Sequence, residues 1–298
     1  MKHIFIVNTK AGRVSCLGMV KETIKTCQGI DAEIVTPNSA KESIAYIRNY
    51  LDNHHDEVRF YACGGDGTIN KVATGIMGYD NASMSVLPYG SGNDYIKYYD
   101  NKESFNTIDR LLNGKEYLVD IMKVNDNYAL NATHFGFDSV VAKKMNEIRR
   151  KKIIGGNNSY PIAIIYGFFN GMHNRCKVIA DGEPLNDNDL LLCTVTNGKY
   201  VGGSYKCAPR SLNDDGLLEV CLVKPLPRLK LICMIGDYKK GLHLDKEKYE
   251  RHIIYRRAKT VELLSENEMT VSIDGEIYSD NHIIIENLKQ KIRFVAPQ

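Results

Sequence analysis

Apolar residues fall in two spacings along this chain, and the spacing changes part-way. Up to about Lys123, short β-branched runs alternate with stretches of helical period: HIFIVN (3–8) precedes a helix through Val20, Ile24 and Cys27, and AEIVT precedes SAKESIAYIRNYL. VRFYAC then leads into a helix from about Thr68, and SMSVLP into a shorter helical piece after Asp94. Such alternation predicts a parallel sheet covered on both faces. Beyond Lys123 strand-like runs dominate (DNYALNAT, RCKVIAD, DLLLCTVTNG, GLLEVCLV, HIIYRRAKTVELL, MTVSID, HIIIE, KIRFVAP), with helices expected near 139–152, 160–171 and 228–240. That texture predicts a mostly antiparallel second domain, a sandwich or open barrel. The expected division is an α/β domain over 1–123 and a β-rich domain over 124–289.

Composition narrows the class without naming a function. The 298 residues, 43% hydrophobic and 25% charged, are those of a soluble globular chain with room for two domains. A net charge of +3 is too small a bias for wrapping nucleic acid, yet it hides an asymmetry. Residues 1–130 hold 14 basic and 16 acidic side chains, leaving 25 and 20 for the rest. Eight cysteines without a CxxC pair read as reduced core thiols and a cytoplasmic setting. The eight histidines are dispersed, without HExxH, so a zinc site is not expected. MKHIFIVNTKAG has no charged n-region followed by an apolar h-region, so no signal peptide is expected. The longest apolar stretches, PIAIIYGFF and LKLICMI, fall short of the ~18–20 residues of a spanning helix, which restricts membrane contact to the periphery.

Three loops at predicted strand ends carry candidate chemistry, the place where parallel sheets bind ligands. In CysGlyGlyAspGlyThr (63–68), Gly64 and Gly65 allow positive φ and close backbone approach, so the turn can offer N–H groups to an anion at a helix N-terminus. Asp66 amid phosphates makes sense if Mg²⁺ or a ribose hydroxyl intervenes, while Thr68 can cap the helix or touch phosphate. Pro88-Tyr89-Gly90-Ser91-Gly92-Asn93-Asp94 is a second glycine loop with a hydroxyl and a carboxylate, and it lies beside the first if the third and fourth strands are neighbours. Alone it reads equally well as an Asn-Asp cap after a turn. Neither loop fits the Walker pattern or GxGxxG. Asn8-Thr9-Lys10-Ala11-Gly12-Arg13 ends the first strand, where Lys10 and Arg13 can offset phosphate charge or simply form a turn. Late in the chain, Asp274-Gly275-Glu276 places a carboxylate where it could serve as a general base, although Asp-Gly is first of all a hairpin signal.

GGDGT, the PxGSGND loop about two dozen residues on and a late DGE together resemble the diacylglycerol kinase catalytic-domain family, which also holds sphingosine and ceramide kinases and small bacterial members. NTKAG is similar to the family's opening motif, with Thr9 in place of proline, and GFD at 136–138 falls at the matching place. The resemblance implies a phosphofructokinase-like or NAD kinase-like α/β domain, then a β-rich, sandwich-like lipid-binding domain, with the last strand (about 290–298) able to rejoin the first. It implies phosphorylation of a lipid hydroxyl, diacylglycerol by default, by ATP and Mg²⁺. Carried onto this sequence, Asn8, Gly64, Gly65, Asp66, Gly67, Thr68, Gly90, Ser91 and Asn93 contact ATP; Asp66 and Asp94 organise the metal and phosphates; Asp274 is the base, supported by Glu276. NGKYVGGSYKCAPRSLNDDGLLEV resembles a segment carrying a structural Mg²⁺, which here would use the Asp215 carboxylate and the carbonyls of Leu212 and Leu217. The partners implied are a lipid and, transiently, an anionic membrane surface, with no nucleic acid and a homodimer left open. The basic runs KKMNEIRRKK (143–152) and YRRAK (255–259) suit such docking, or form solvated faces. An NAD kinase shares GGDGT but lacks the second loop and the late DGE; a non-catalytic lipid- or nucleotide-binding regulator would not need all three of Asp66, Asp94 and Asp274.

Overall fold

The runs HIFIV, VRFYAC and SMSVL are buried on both sides, as a parallel sheet between helices requires, whereas AEIV, on the strand at the sheet edge, is half-buried. The computed structural model describes residues 1–9, 16–27, 29–150 and 159–298. The expectations for Lys10, Arg13, Lys151 and Lys152, and for the side chains of Arg149 and Arg150, lie outside what is described. The chain divides into two compact units, residues 1–121 with 289–298, and residues 122–288.

Unit 1 begins β1 (Lys2–Val7), α1 (Cys16–Thr26), β2 (Asp31–Val35), α2 (Ala40–Asn53), β3 (Val58–Gly64), α3 (Asp66–Ile76) and β4 (Ala82–Pro88). Two 3₁₀ turns, Tyr95–Tyr98 and Lys102–Asn106, then α4 (Ile108–Leu112), lead to β5 (Lys115–Val124), which carries the chain onward. β1 lies between β2 and β3, and β4 pairs with β3, all parallel, with Ile6 opposite Ala62 and Ala62 opposite Val86. Ile4, Phe5, Ile6, Phe60, Tyr61 and Met84 are fully buried. α2 starts at Ser39, whose hydroxyl accepts the Glu42 N–H at 3.2 Å, and it buries Ile47 and Leu51 at helical spacing.

Unit 2 holds β6 (Asn127–Ala129), β7 (Ala132–Gly136), α5 (Phe137–Arg150), α6 (Ser159–Asn170), β8 (Asn174–Arg175), β9 (Lys177–Ala180), β10 (Glu183–Pro184), β11 (Asp189–Leu190) and β12 (Leu192–Thr196). β13 (Leu218–Val223), α7 (Arg228–Lys240), β14 (Ile253–Ala258) and β15 (Thr260–Ile273) follow, and β16 (Glu276–Ala296) returns the chain to unit 1. The order β14-β13-β12-β7-β15 is antiparallel throughout, with β15 paired also to β16 and β9. Strand alternation feeds two cores: Cys193, Val195, Val220 and Leu222 join one with Val261 and Leu263, while Leu192, Cys221 and Val223 join another with Phe137, Val141, Leu231 and Met234 of α5 and α7.

Two predicted breaks are absent. TVELL and MTVSI form the single strand β15, because pairing with β16 resumes after a register shift between Leu264 and Met269, across an exposed polar stretch. HIIIE and KIRFVAP likewise form one strand, β16, despite Gln290 at φ 53°. Its last residues enter unit 1, where Arg293 and Phe294 pair in parallel with Ser83 and Met84.

Candidate active site

Because β1, β3 and β4 are adjacent and parallel, the loops leaving their carboxyl ends meet. The Asn8 N–H donates to the Cys63 carbonyl at 3.0 Å, and its side-chain amide to Thr68 Oγ1 at 3.3 Å. The Gly64 carbonyl accepts from the N–H groups of Tyr89 (2.9 Å) and Gly90 (3.2 Å). Gly65 and Gly90 touch through their backbones: a Cβ on Gly90 would stand 2.3 Å from Gly65 Cα. The positive φ anticipated for Gly64 and Gly65 is not what these positions need, since Gly65 lies at φ −102° and Gly64 is not in the left-handed region. What favours glycine is space: a Cβ on Gly64 would collide with the Thr68 side chain, and one on Gly65 would stand 3.1 Å from Gly90 Cα.

Asp66, the first residue of α3, ties the loops together. Its Oδ1 accepts the N–H of Asp94 at 2.6 Å and of Tyr95 at 3.3 Å, and a Cβ on Gly92 would come within 2.9 Å of Oδ2. Asn93, at φ 50°, closes the second loop on itself, accepting the Gly90 N–H at 3.1 Å and donating to the Gly90 carbonyl at 2.9 Å. Asp94 is buried, with Oδ1 2.6 Å from Lys97 Nζ. Gly67 and Ser91 are exposed, and Gly65, the residue before α3, provides no side-chain cap. The backbone N–H groups at the positive end of a helix suit an anion such as phosphate. The magnesium expected with the nucleotide fits Asp66, since Mg²⁺ takes one or two carboxylates plus phosphate oxygens rather than an all-protein cage. No group of three acidic, His or Cys side chains suited to a metal occurs among the described residues. The charge of Asp94 is met by Lys97, which makes it the poorer donor. Lys97 was not anticipated; its one signal in the sequence is the i, i+3 spacing from Asp94.

Asp274 and Glu276 belong to unit 2. Asp274 (φ 45°) and Gly275 (φ 86°) form the turn between β15 and β16, so the hairpin reading holds for the backbone. The side chain does more than turn the chain. Its carboxylate accepts the N–H groups of Leu130 (2.7 Å), Asn131 (3.1 Å) and Ala132 (2.8 Å), which fixes its orientation. Glu276 accepts from the Tyr278 hydroxyl at 3.3 Å. Nearby on β7, His134 faces Ser272 of β15; its Nδ1 lies 3.3 Å from Thr194 Oγ1 and 3.7 Å from Asp138 Oδ2, and Thr194 donates to Asp138 at 3.2 Å. Burial raises the Asp138 carboxyl above its ordinary range, against His134 and Thr194. Sequence reading noted GFD but not this cluster, whose members come from separate strands and a helix.

The expected second metal meets a cation already in place. Asp215 pairs with the Arg257 guanidinium and accepts the Leu217 N–H at 3.0 Å; Leu212 is exposed. Arg257 Nε also stands 3.0 Å from Glu219 Oε1, its cross-strand neighbour, and Glu219 is fully buried with its pKa raised by that burial. A guanidinium between two carboxylates supplies the charge a divalent ion would bring, so these residues do not fit a metal in this arrangement. Arg210 pairs elsewhere, with Asp245 at 2.8 Å.

Comparison with known proteins places both units. Residues 2–124 match the diacylglycerol kinase catalytic domain, and residues 131–295 match the YegS C-terminal NAD kinase beta sandwich-like domain. A diacylglycerol kinase of Bacillus subtilis is 27% identical over 240 residues, covering 80% of this chain and 77% of that protein. A "Probable lipid kinase YegS-like" of Shewanella frigidimarina is 26% identical over 263 residues, 86% of this chain and 82% of that one. In fold, the chain is similar to a diacylglycerol kinase structure from Bacillus anthracis (TM-score 0.70, 20% identity, 99% and 96% of the two chains). It is also similar to a yeast NADH kinase (TM-score 0.55, 12% identity, 100% and 84%).

Proposed function

The chain belongs to the diacylglycerol kinase family, its catalytic domain joined to a YegS-type C-terminal domain, and from that premise we propose that it phosphorylates a lipid hydroxyl with ATP and Mg²⁺, diacylglycerol being the acceptor. The observation that carries this reading is the pair of glycine loops at adjacent strand ends, joined by Asp66 Oδ1 to the Asp94 N–H at 2.6 Å. Asn8, Gly64, Gly65, Gly67, Thr68, Gly90, Ser91 and Asn93 would contact the nucleotide, whose phosphates face the first turn of α3. Mg²⁺, when bound at Asp66, would neutralise charge on the transferring phosphoryl group. Asp94 would position Lys97 as the cation of the second loop. Asp274, held by three backbone N–H groups, would take the proton of the attacking hydroxyl, with Glu276 supporting it. Phosphoryl transfer asks for positioning and charge neutralisation more than covalent chemistry, and these groups supply both.

A lipid acceptor brings the enzyme to a membrane surface in this reading. No described helix is long and apolar enough to cross one. Of the two basic runs, Lys143, Arg256, Arg257 and Lys259 are exposed, and of these Arg257 is engaged by Asp215 and Glu219.

The test is transfer from radiolabelled ATP to a panel of diacylglycerol, monoacylglycerol, a sphingoid base, a polyprenol and NAD. Label is expected in diacylglycerol, and Asp66→Asn and Asp274→Asn are each expected to lower the rate by ~10²-fold or more. An amide cannot accept all three backbone N–H groups as the carboxylate does, so the unfolding midpoint of Asp274→Asn is measured alongside. Full turnover in Asp274→Asn would remove Asp274 from the role of base. Label in NAD alone would overturn the lipid-kinase reading.

A further inference from the structure

α6, SYPIAIIYGFFN, carries no charged side chain and is apolar around its circumference. One face is used inside unit 2. Ala163 is buried, and Gly167 lets the helix approach α5 so closely that a Cβ there would stand 2.9 Å from Val141 Cγ2 and 3.0 Å from the Phe137 ring. The opposite face stands in solvent among the described residues. Ile162, Ile165, Tyr166 and Phe169, at i, i+3, i+4 and i+7, are exposed, Phe169 to 73%. The first turn of α7 adds Leu229 (79%) and Ile232 (58%), and Arg228 of that turn donates to the Phe168 carbonyl at 2.8 Å, so the two helices are neighbours there. A contiguous apolar surface of this kind is an interaction site.

Its surroundings indicate the partner. Lys144 Nζ sits 4.6 Å over the Tyr166 ring, and Lys143 stands exposed on the same helix. With Glu147, Tyr166 and Asn170 the two lysines line a groove of about 260 Å³ beside the stripe. Arg228 and Lys230 flank it on the α7 side, and residues 228–235 contain no acidic side chain. We propose that this face of α6 and α7 enters the headgroup region of an anionic bilayer, its apolar side chains buried and the flanking Lys and Arg meeting phosphates. A second copy of the chain is the poorer fit, since a two-fold contact through this patch would set Lys and Arg against Lys and Arg. The inference deepens the lipid-kinase reading by assigning the surface that reaches the lipid, but it rests on exposure and charge in unit 2 alone.

The chain has no tryptophan, so Phe169→Trp introduces a single reporter. On adding phosphatidylglycerol/phosphatidylcholine vesicles its emission is expected to shift to the blue and to be quenched by brominated acyl chains, with a much smaller response to phosphatidylcholine alone. Ile165→Ser and Phe169→Ser are each expected to lower partition into the anionic vesicles by ~10-fold, equivalent to ~1.4 kcal/mol. Their turnover of a water-soluble short-chain acceptor should be unchanged. Vesicle binding that leaves the introduced indole in water overturns the proposal. So does loss of self-association in the serine variants with partition intact, which gives the face to a second copy. Insertion with no kinase activity toward any acceptor would sink the lipid-kinase reading and leave the docking surface standing.

Discussion

Among single residues, the two glycine loops at the ends of β3 and β4 are held by what a side chain would collide with. Gly90→Ala drives a Cβ to 2.3 Å from the Gly65 backbone, and neither loop can retreat without losing the Gly64 carbonyl contacts or the Asp66 bridge. ATP affinity, read from nucleotide-dependent thermal shift, is expected to fall by ~10²-fold. Gly67→Ala has open space around it in a helix and should hold or raise the unfolding midpoint. Two histidines give the fold a pH dependence. His3, its Nδ1 2.9 Å from the Tyr61 hydroxyl, is lowered from 6.5 to about 4 by burial and the Arg59 charge; His243 is lowered to about 4 by burial, against its hydrogen bond to the Cys207 carbonyl. Both are neutral in the fold, and the unfolded chain takes up the protons first. Their contribution is complete above about pH 6.5, is lost as pH falls toward 4, and changes no further below that. Urea unfolding at pH 7 and 4.5 should differ by on the order of 3 kcal/mol per ring, and His3→Gln/His243→Gln should flatten that difference; an unchanged slope removes the account. The glycines and aspartates of these loops were legible in the sequence because their residue types are themselves the signal. That Asp66 serves as a backbone acceptor for a second loop was not, since its partner lies 28 residues away.

At the scale of elements, periodicity located the strands and helices well and failed where pairing overrode it. α7 begins and ends where the helical spacing predicts, whereas β15 runs through SENE because its partner β16 resumes register beyond it. The β13–β14 pair shows how much rides on one cross-strand contact. Arg257 opposes Glu219 directly and also reaches Asp215. Arg257→Met would leave a fully buried carboxylate without its counter-ion, at a cost of about 2 kcal/mol once the partial exposure of the arginine is allowed for. Pairing it with Glu219→Gln should recover most of that loss in urea unfolding. If the guanidinium holds this segment, chelating divalent ions leaves the wild-type midpoint unmoved, and a fall on adding EDTA would restore the case for a metal at Asp215.

At the scale of the whole chain, unit 1 is discontinuous in sequence. Residues 289–298 complete it: Phe294 is fully buried, stacks on Tyr99 at 5.3 Å and meets Tyr95 edge-on at 5.1 Å, while the Val295 carbonyl accepts from Ser85 at 2.8 Å. A chain ending at Leu288 loses the buried Ile292, Phe294 and Val295, at roughly 1.5–3 kcal/mol each, a large share of a typical domain's 5–15 kcal/mol. Limited proteolysis is expected to cut such a chain within residues 1–121; protection there would show that unit 1 closes without its last strand. The two textures, an α/β class followed by a β-rich one, and the residue types of the loops were legible in the sequence, because periodicity and glycine-aspartate chemistry are properties of short windows. It also marked PIAIIYGFF and LKLICMI as apolar and too short to span a bilayer. No short window shows that Gly65 lies against Gly90, that Asp94 holds Lys97 while Asp66 bridges the loops, that Arg257 stands between Asp215 and Glu219, or that one face of α6 and the first turn of α7 stay in solvent. Each of these depends on which strands and helices become neighbours, and packing between distant segments sets that.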